Sequence, residues 1–206
     1  MSSPSADVAG LFAANMGTPV KEQTDSEDAM LVHAARNGDR AAFGRLYERY
    51  ARMVHGVLLA RVPPVVVDDL VHDAFIRALR RISGLRKNEC FGAWLAAIAR
   101  NLANDFHRRS SPEEPMPETM ELPDEAANTD QQAQAAAVLD AIRGLPDVYR
   151  ETLILRLVEG MTGPEIAERT GLTHGSVRVN LHRGMQQLRA ILSGTTDSAE
   201  PQQEIS

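Results

Sequence analysis

Residues 161–188 read MTGPEIAERTGLTHGSVRVNLHRGMQQL, and the reading of the whole chain starts from them. Thr162 followed three residues later by Glu165 has the spacing of a capping box. Pro164 falls in the first turn, where a missing N–H costs little. Ile166 and Ala167 face inward, and Gly171 is suited to the left-handed conformation that ends a helix. Thr173 then caps a second helix. Along it Val177, Leu181 and Leu188 recur at spacings of four and seven, making one apolar stripe. Arg178, His182, Arg183 and Arg189 lie largely outside the stripe. Helix, tight turn and second helix with polar side chains leading is the arrangement that enters the major groove of DNA.

A net charge of −6 over 206 residues is at odds with DNA binding until it is resolved along the chain. Residues 1–29 carry −4, residues 30–110 carry +7, residues 111–130 carry −7, residues 131–192 carry +1 and residues 193–206 carry −3. The acid lies in segments without hydrophobic periodicity, and the basic charge lies in the patterned ones. A basic body with acidic flanks fits a nucleic-acid partner. The single cysteine, Cys90, excludes an internal disulfide and a cysteine-rich zinc site. His33, His55, His107 and His174 have no metal-ligand spacing with it, so each is read as structural, and neither metal nor cofactor is expected. There is no apolar run of the ~18 residues a membrane span needs and no leader-like N-terminus, so a cytoplasmic protein is expected.

The patterning predicts an all-α fold of two small helical domains joined by a flexible acidic linker, the second domain carrying the helix-turn-helix. Residues 1–26 have no sustained period and are expected to be disordered. Residues 27–110 hold four amphipathic helices. The first runs over 27–38 and stops at Gly38. Asp39 caps the second, with Phe43, Leu46, Tyr50, Val54 and Leu58 at 3–4 spacing, and Pro63 and Pro64 stop it. Asp68 and Asp69 open the third, and Phe91, Trp94, Leu95, Ile98 and Leu102 mark the fourth, which ends in His107-Arg108-Arg109. Residues 111–130, acidic and rich in proline, read as the linker. Residues 131–192 form the second domain and 193–206 a disordered tail.

Three stretches resemble an extracytoplasmic-function sigma factor of the sigma-70 family. Residues 69–80, DLVHDAFIRALR, are similar to the helix by which the first sigma domain docks on core RNA polymerase. Residues 91–109, FGAWLAAIARNLANDFHRR, are similar to the helix that melts and reads the −10 element. Residues 145–188, including Leu145-Pro146 and Tyr149-Arg150-Glu151, resemble the −35-reading domain. The resemblance implies a non-enzymatic initiation factor that joins core RNA polymerase, reads −35/−10 promoters, is a monomer when free and is held by an anti-sigma factor, often membrane-anchored.

By the resemblance, Asp69, Leu70, Val71, His72 and Asp73 meet the polymerase; Leu70, Val71 and Phe75 divide between core and interface. Glutamine is usual in the family where this chain has His72. Trp94, Arg100, Asn101, Asp105, Arg108 and Arg109 serve the −10 element. A melted strand needs its bases held in stacks or polar pockets and its phosphates met by cations. Asn101 is suited to a base edge and the arginines to phosphate, whereas Trp94 recurs at helical spacing with Leu95, Ile98 and Leu102, a pattern that more often marks core. Thr173, Ser176, Arg178, Val179, Asn180, His182 and Arg183 are the −35 set. Arg178 and Arg183 suit guanine or phosphate, and Val179 suits only an apolar contact. The family usually has Ser-Arg at Val179-Asn180 and alanine at Gly184. Two other readings compete: a regulator using only the helix-turn-helix, and a helical hydrolase or nuclease, for which no paired carboxylates or nucleophile-base set are evident.

Overall fold

The computed structural model describes residues 21–109 and 129–196. Helices α1 (Lys21–Arg36), α2 (Arg40–Leu59), α3 (Val67–Arg81) and α4 (Phe91–Arg109) make the first unit. Helix α1 begins at Lys21, so residues 21–26, expected to be disordered, are helical. Gly38 turns the chain at φ 93°, and Asp39 Oδ1 caps α2 by accepting from Ala41 N at 2.8 Å and Ala42 N at 3.0 Å. Helix α2 ends at Leu59, short of the two prolines, and a 3-10 turn over Pro64–Val66 leads into α3. Leu46, Met53, Val57, Ala74, Phe91, Leu95 and Leu102 close the core between them.

Helices α5 (Thr129–Arg143), α6 (Asp147–Leu157), α7 (Gly163–Thr170) and α8 (His174–Thr196) make the second unit. The described part of the expected linker, residues 129–130, already belongs to α5, and residues 110–128 lie outside the described residues. Helix α8 runs to Thr196, so residues 193–196 are helical where a disordered tail was expected. Residues 1–20 and 197–206 lie outside the described residues. The described residues contain no strand.

The two units are packed together. Helices α2 and α4 lie on α6 and α7, and one apolar cluster runs without a break from Leu31 to Leu188. Two domains tied only by a linker would not share a core, so this contact is a finding that the periodicity did not contain.

Candidate nucleic-acid interface

The helix-turn-helix is built as its residues dictate. Thr162 N donates to Glu165 Oε2 at 2.7 Å, and Glu165 N donates back to Thr162 Oγ1 at 3.4 Å. Burial opposes the charged form of Glu165, but the hydrogen bonds from Thr162 outweigh it and hold the carboxyl below its usual range. Gly171, at φ 77°, ends α7 with its N–H on Ala167 O at 3.1 Å. Thr173 Oγ1 accepts from Ser176 N at 3.1 Å and so caps α8. Val177 and Leu188 are buried and Leu181 is packed against the core. That orientation leaves Thr173, Ser176, Arg178, Val179, His182 and Arg183 exposed on one helix surface. Asn180 is half-buried at the edge of a cleft between the units, beside Arg61, Arg100 and Glu151.

Gly184, which the sequence left without a reason, sits where α8 crosses α6. A Cβ there would stand 3.0 Å from Leu153 Cδ1 and 3.1 Å from Tyr149 Cβ. The glycine allows the close approach, which offsets the roughly 1 kcal/mol that glycine costs inside a helix.

Helix α4 presents Asn101, Arg108 and Arg109 to solvent. Asp105 is partly withdrawn, pairing with Arg77 at 3.3 Å and Arg108 at 2.8 Å. Trp94 is half-buried against Phe91, ring centroids 5.8 Å apart, so the core reading accounts for most of its surface. Arg100 is engaged. Its Nη2 donates to Glu151 Oε1 at 2.6 Å and its Nε to Glu151 Oε2 at 3.1 Å. On α3, Asp69, His72 and Asp73 are exposed and Leu70 is half-buried. Val71 is 7% exposed and Phe75 3%, so both belong to the core. Val71, expected among the polymerase-binding residues, therefore offers little side-chain surface. The three exposed residues, with Leu70 at the edge, form the available face.

Glu151, Arg61, His55 and Glu159, to which the sequence assigned no binding role, belong to this region. Glu151 is 5% exposed and takes Arg61 Nη2 at 2.7 Å as well as Arg100. His55 Nδ1 lies 2.6 Å from Glu159 Oε1. One signal was present for Glu151, a charge beside the apolar run Leu153-Ile154-Leu155. Among the described residues, no group of His, Cys, Asp or Glu is arranged to hold a metal ion, and no helix is long and apolar enough to cross a membrane.

A basic helix carrying the −10 motif and a capped helix-turn-helix, in that order, define a two-part DNA reader. The family models agree with that division: sigma-70 region 2 matches residues 46–113 and sigma-70 region 4 matches residues 135–188. The ECF RNA polymerase sigma factor BldN of Streptomyces coelicolor is 33% identical over 183 residues, covering 84% of this chain and 69% of that protein. The ECF RNA polymerase sigma-E factor of Haemophilus influenzae is 30% identical over 175 residues, 78% of this chain and 93% of that protein. The solved structure of CnrH in complex with the cytosolic domain of CnrY superposes with a TM-score of 0.58 at 25% identity, covering 82% of this chain and 98% of that one. The chain belongs to the extracytoplasmic-function RNA polymerase sigma factors.

Proposed function

We propose that the chain acts by docking Asp69, Leu70, His72 and Asp73 on core RNA polymerase, placing Asn101, Arg100, Arg108 and Arg109 on the melted −10 element and Arg178, His182 and Arg183 on the −35 element. The observation that carries this is the exposure of the polar face of α8 together with Asn101 and the terminal arginines of α4. Asn101 supplies an amide for a base edge, and the arginines supply positive charge along the phosphates. The chain performs no bond chemistry of its own in this reading and works in the cytoplasm. An anti-sigma factor holds it inactive; the solved CnrH is bound to the cytosolic domain of a second protein, which supports a partner of that kind.

Run-off transcription with core RNA polymerase on fragments of the source genome tests the assignment. Discrete transcripts that need the factor are expected. A chain that binds DNA yet neither joins core polymerase in a pull-down nor starts transcription would instead be a regulator using the helix-turn-helix alone.

A further inference from the structure

Helix α1 ends on Arg36, whose guanidinium reaches across to the loop between α3 and α4. Its Nη2 donates to Ser83 O at 3.0 Å, and its Nη1 donates to Leu85 O at 3.3 Å and to Asn88 Oδ1 at 3.1 Å. Asn88 completes the tie by donating from Nδ2 to Ala29 O at 3.3 Å, two turns earlier on α1. The loop is bounded by 3-10 turns at Ile82–Gly84 and Asn88–Cys90, and α1 packs on both. Leu85 is the one buried side chain between Gly84 and Phe91. A loop with a single apolar anchor is held in one shape chiefly by its hydrogen bonds.

What the fixed loop presents is charge. Arg36, Arg86 and Lys87 line one open cleft with Asn88 and Glu89. Among the described residues, none of the three cations is in an ion pair with a carboxylate. Arg36 gives its donors to neutral oxygens. Three cations against one acid leave the cleft net positive, and a cleft lined by one sign of charge concentrates counter-ions. Such a cleft is suited to phosphate.

The cleft stands at the head of the α4 surface assigned above to the −10 strand. Trp94, Ala97 and Asn101 recur at spacings of three and four, which puts them on one face of the helix. Ala97 and Asn101 are exposed and Trp94 is half-buried. Cys90, the last loop residue, precedes Trp94 by one turn. From Phe91 to Asn101 the helix advances about 15 Å at 1.5 Å per residue, the length of about four stacked nucleotides at 3.4 Å each. A strand laid along this face with a base at Asn101 brings its phosphates to Arg86 and Lys87.

We propose that Arg36 is a positioning residue for the melted strand: from α1 it fixes the loop ahead of α4, and so holds Arg86 and Lys87 on the phosphates of the strand that α4 takes. The proposal rests on the assignment of α4 to the −10 element. Arg36 acts through the loop, because its donors are already given to Ser83, Leu85 and Asn88. Without it the loop must be ordered when the strand binds, and that ordering cost is subtracted from affinity. Lysine is no substitute, since a rigid guanidinium fork spans acceptors on both sides of the loop and a single ammonium does not.

The test measures binding of a mixed-sequence 20-nucleotide single strand to the full chain as a function of salt. Arg36→Ala should lower the log–log salt slope by up to about 1.4, the value of two phosphate contacts to a single strand at about 0.7 each, and the affinity gap to the parent chain should widen about sevenfold between 200 and 50 mM salt. Arg36→Lys keeps the charge and loses the fork, and should fall as Arg36→Ala does. Asn88→Ala, which carries no charge change, should lower the slope independently. Adding Arg36→Ala to the Arg86→Ala, Lys87→Ala pair should remove nothing more. An unchanged slope in either Arg36→Ala or Asn88→Ala, full recovery with lysine, or a further loss on top of the Arg86→Ala, Lys87→Ala pair overturns the proposal. Failure of the promoter-reading assignment would appear separately, as absent run-off transcription with these slope changes intact.

Discussion

Helix α8 crosses α6 at Gly184, where a Cβ would stand 3.0 Å from Leu153 Cδ1 in a side chain that is fully buried. Gly184→Ala therefore sets two effects against each other. Helix propensity favours alanine by roughly 1 kcal/mol. Overpacking a filled core costs about 1–3 kcal/mol, and Tyr149 Cβ at 3.1 Å is backbone-anchored and cannot swing away. A net loss of about 1 kcal/mol is expected by urea unfolding of the full chain. A gain in stability would mean that α6 and α8 separate freely.

His55 gives the packing of the two units a pH dependence. Its hydrogen bond with Glu159 raises its pKa against the opposing effect of burial, with further support from the charges of Glu159 and Asp68. Arg52, 4.0 Å from the same Glu159 carboxylate, shares the partner. A group with a raised folded-state pKa contributes stability that is whole below its unfolded value, near 6.5, and is lost as pH rises through the raised one. Thermal unfolding of the full chain should show this loss as pH rises above about 6.5. His55→Gln should flatten that part of the profile; an unchanged profile would remove the pair from the stability of the fold.

Asn101 is exposed on α4 and lies on the face that carries Arg108. Asn101→Ala should slow open-complex formation by about 5- to 150-fold, since a lost base-edge contact is worth about 1–3 kcal/mol. Core polymerase affinity should not change. Loss of core binding instead would make Asn101 a structural residue.

Val179-Asn180 is where the chain departs from the usual family pair. Asn180→Arg should steepen the salt dependence of duplex binding by about 0.9 in the log–log slope, the value of one added phosphate contact. Asn180 also borders the cleft that holds Arg61 and Arg100, so a cation there will also weaken the packing of the two units. Because parting the units also frees Arg100 for phosphate, the slope is read in an Arg100→Ala background, where it counts the cation at position 180. An unchanged slope would place residue 180 off the DNA backbone.

Much of the helix-turn-helix was legible in the residues. Thr162, Glu165, Gly171 and Thr173 act on neighbours within four positions, so their pattern in the chain is also their geometry in space. The stripe of Val177, Leu181 and Leu188 likewise predicted which face of α8 is left exposed. The ends of the helical regions were less legible. Helix α1 begins before residue 27 and α8 continues past 192, because polar residues do not end a helix unless a cap or a proline stops it. Val71 shows a different limit: an apolar residue on an amphipathic helix is consistent with core and with an interface, and only its burial assigned it.

By itself, then, the sequence determined the four helices of the first unit, the capped reader and the family to which these belong, since each rests on spacing along one chain. Tertiary structure alone decided that Arg100 meets Glu151, fifty-one residues away, and that Arg61 meets it across ninety. The same holds for Gly56 receiving Leu155 and for Gly184 admitting Leu153. Such contacts have no period and no motif. They follow from which surfaces come to face each other when the two helical units pack, and that packing sets the partners of the very arginine that the sequence assigns to DNA.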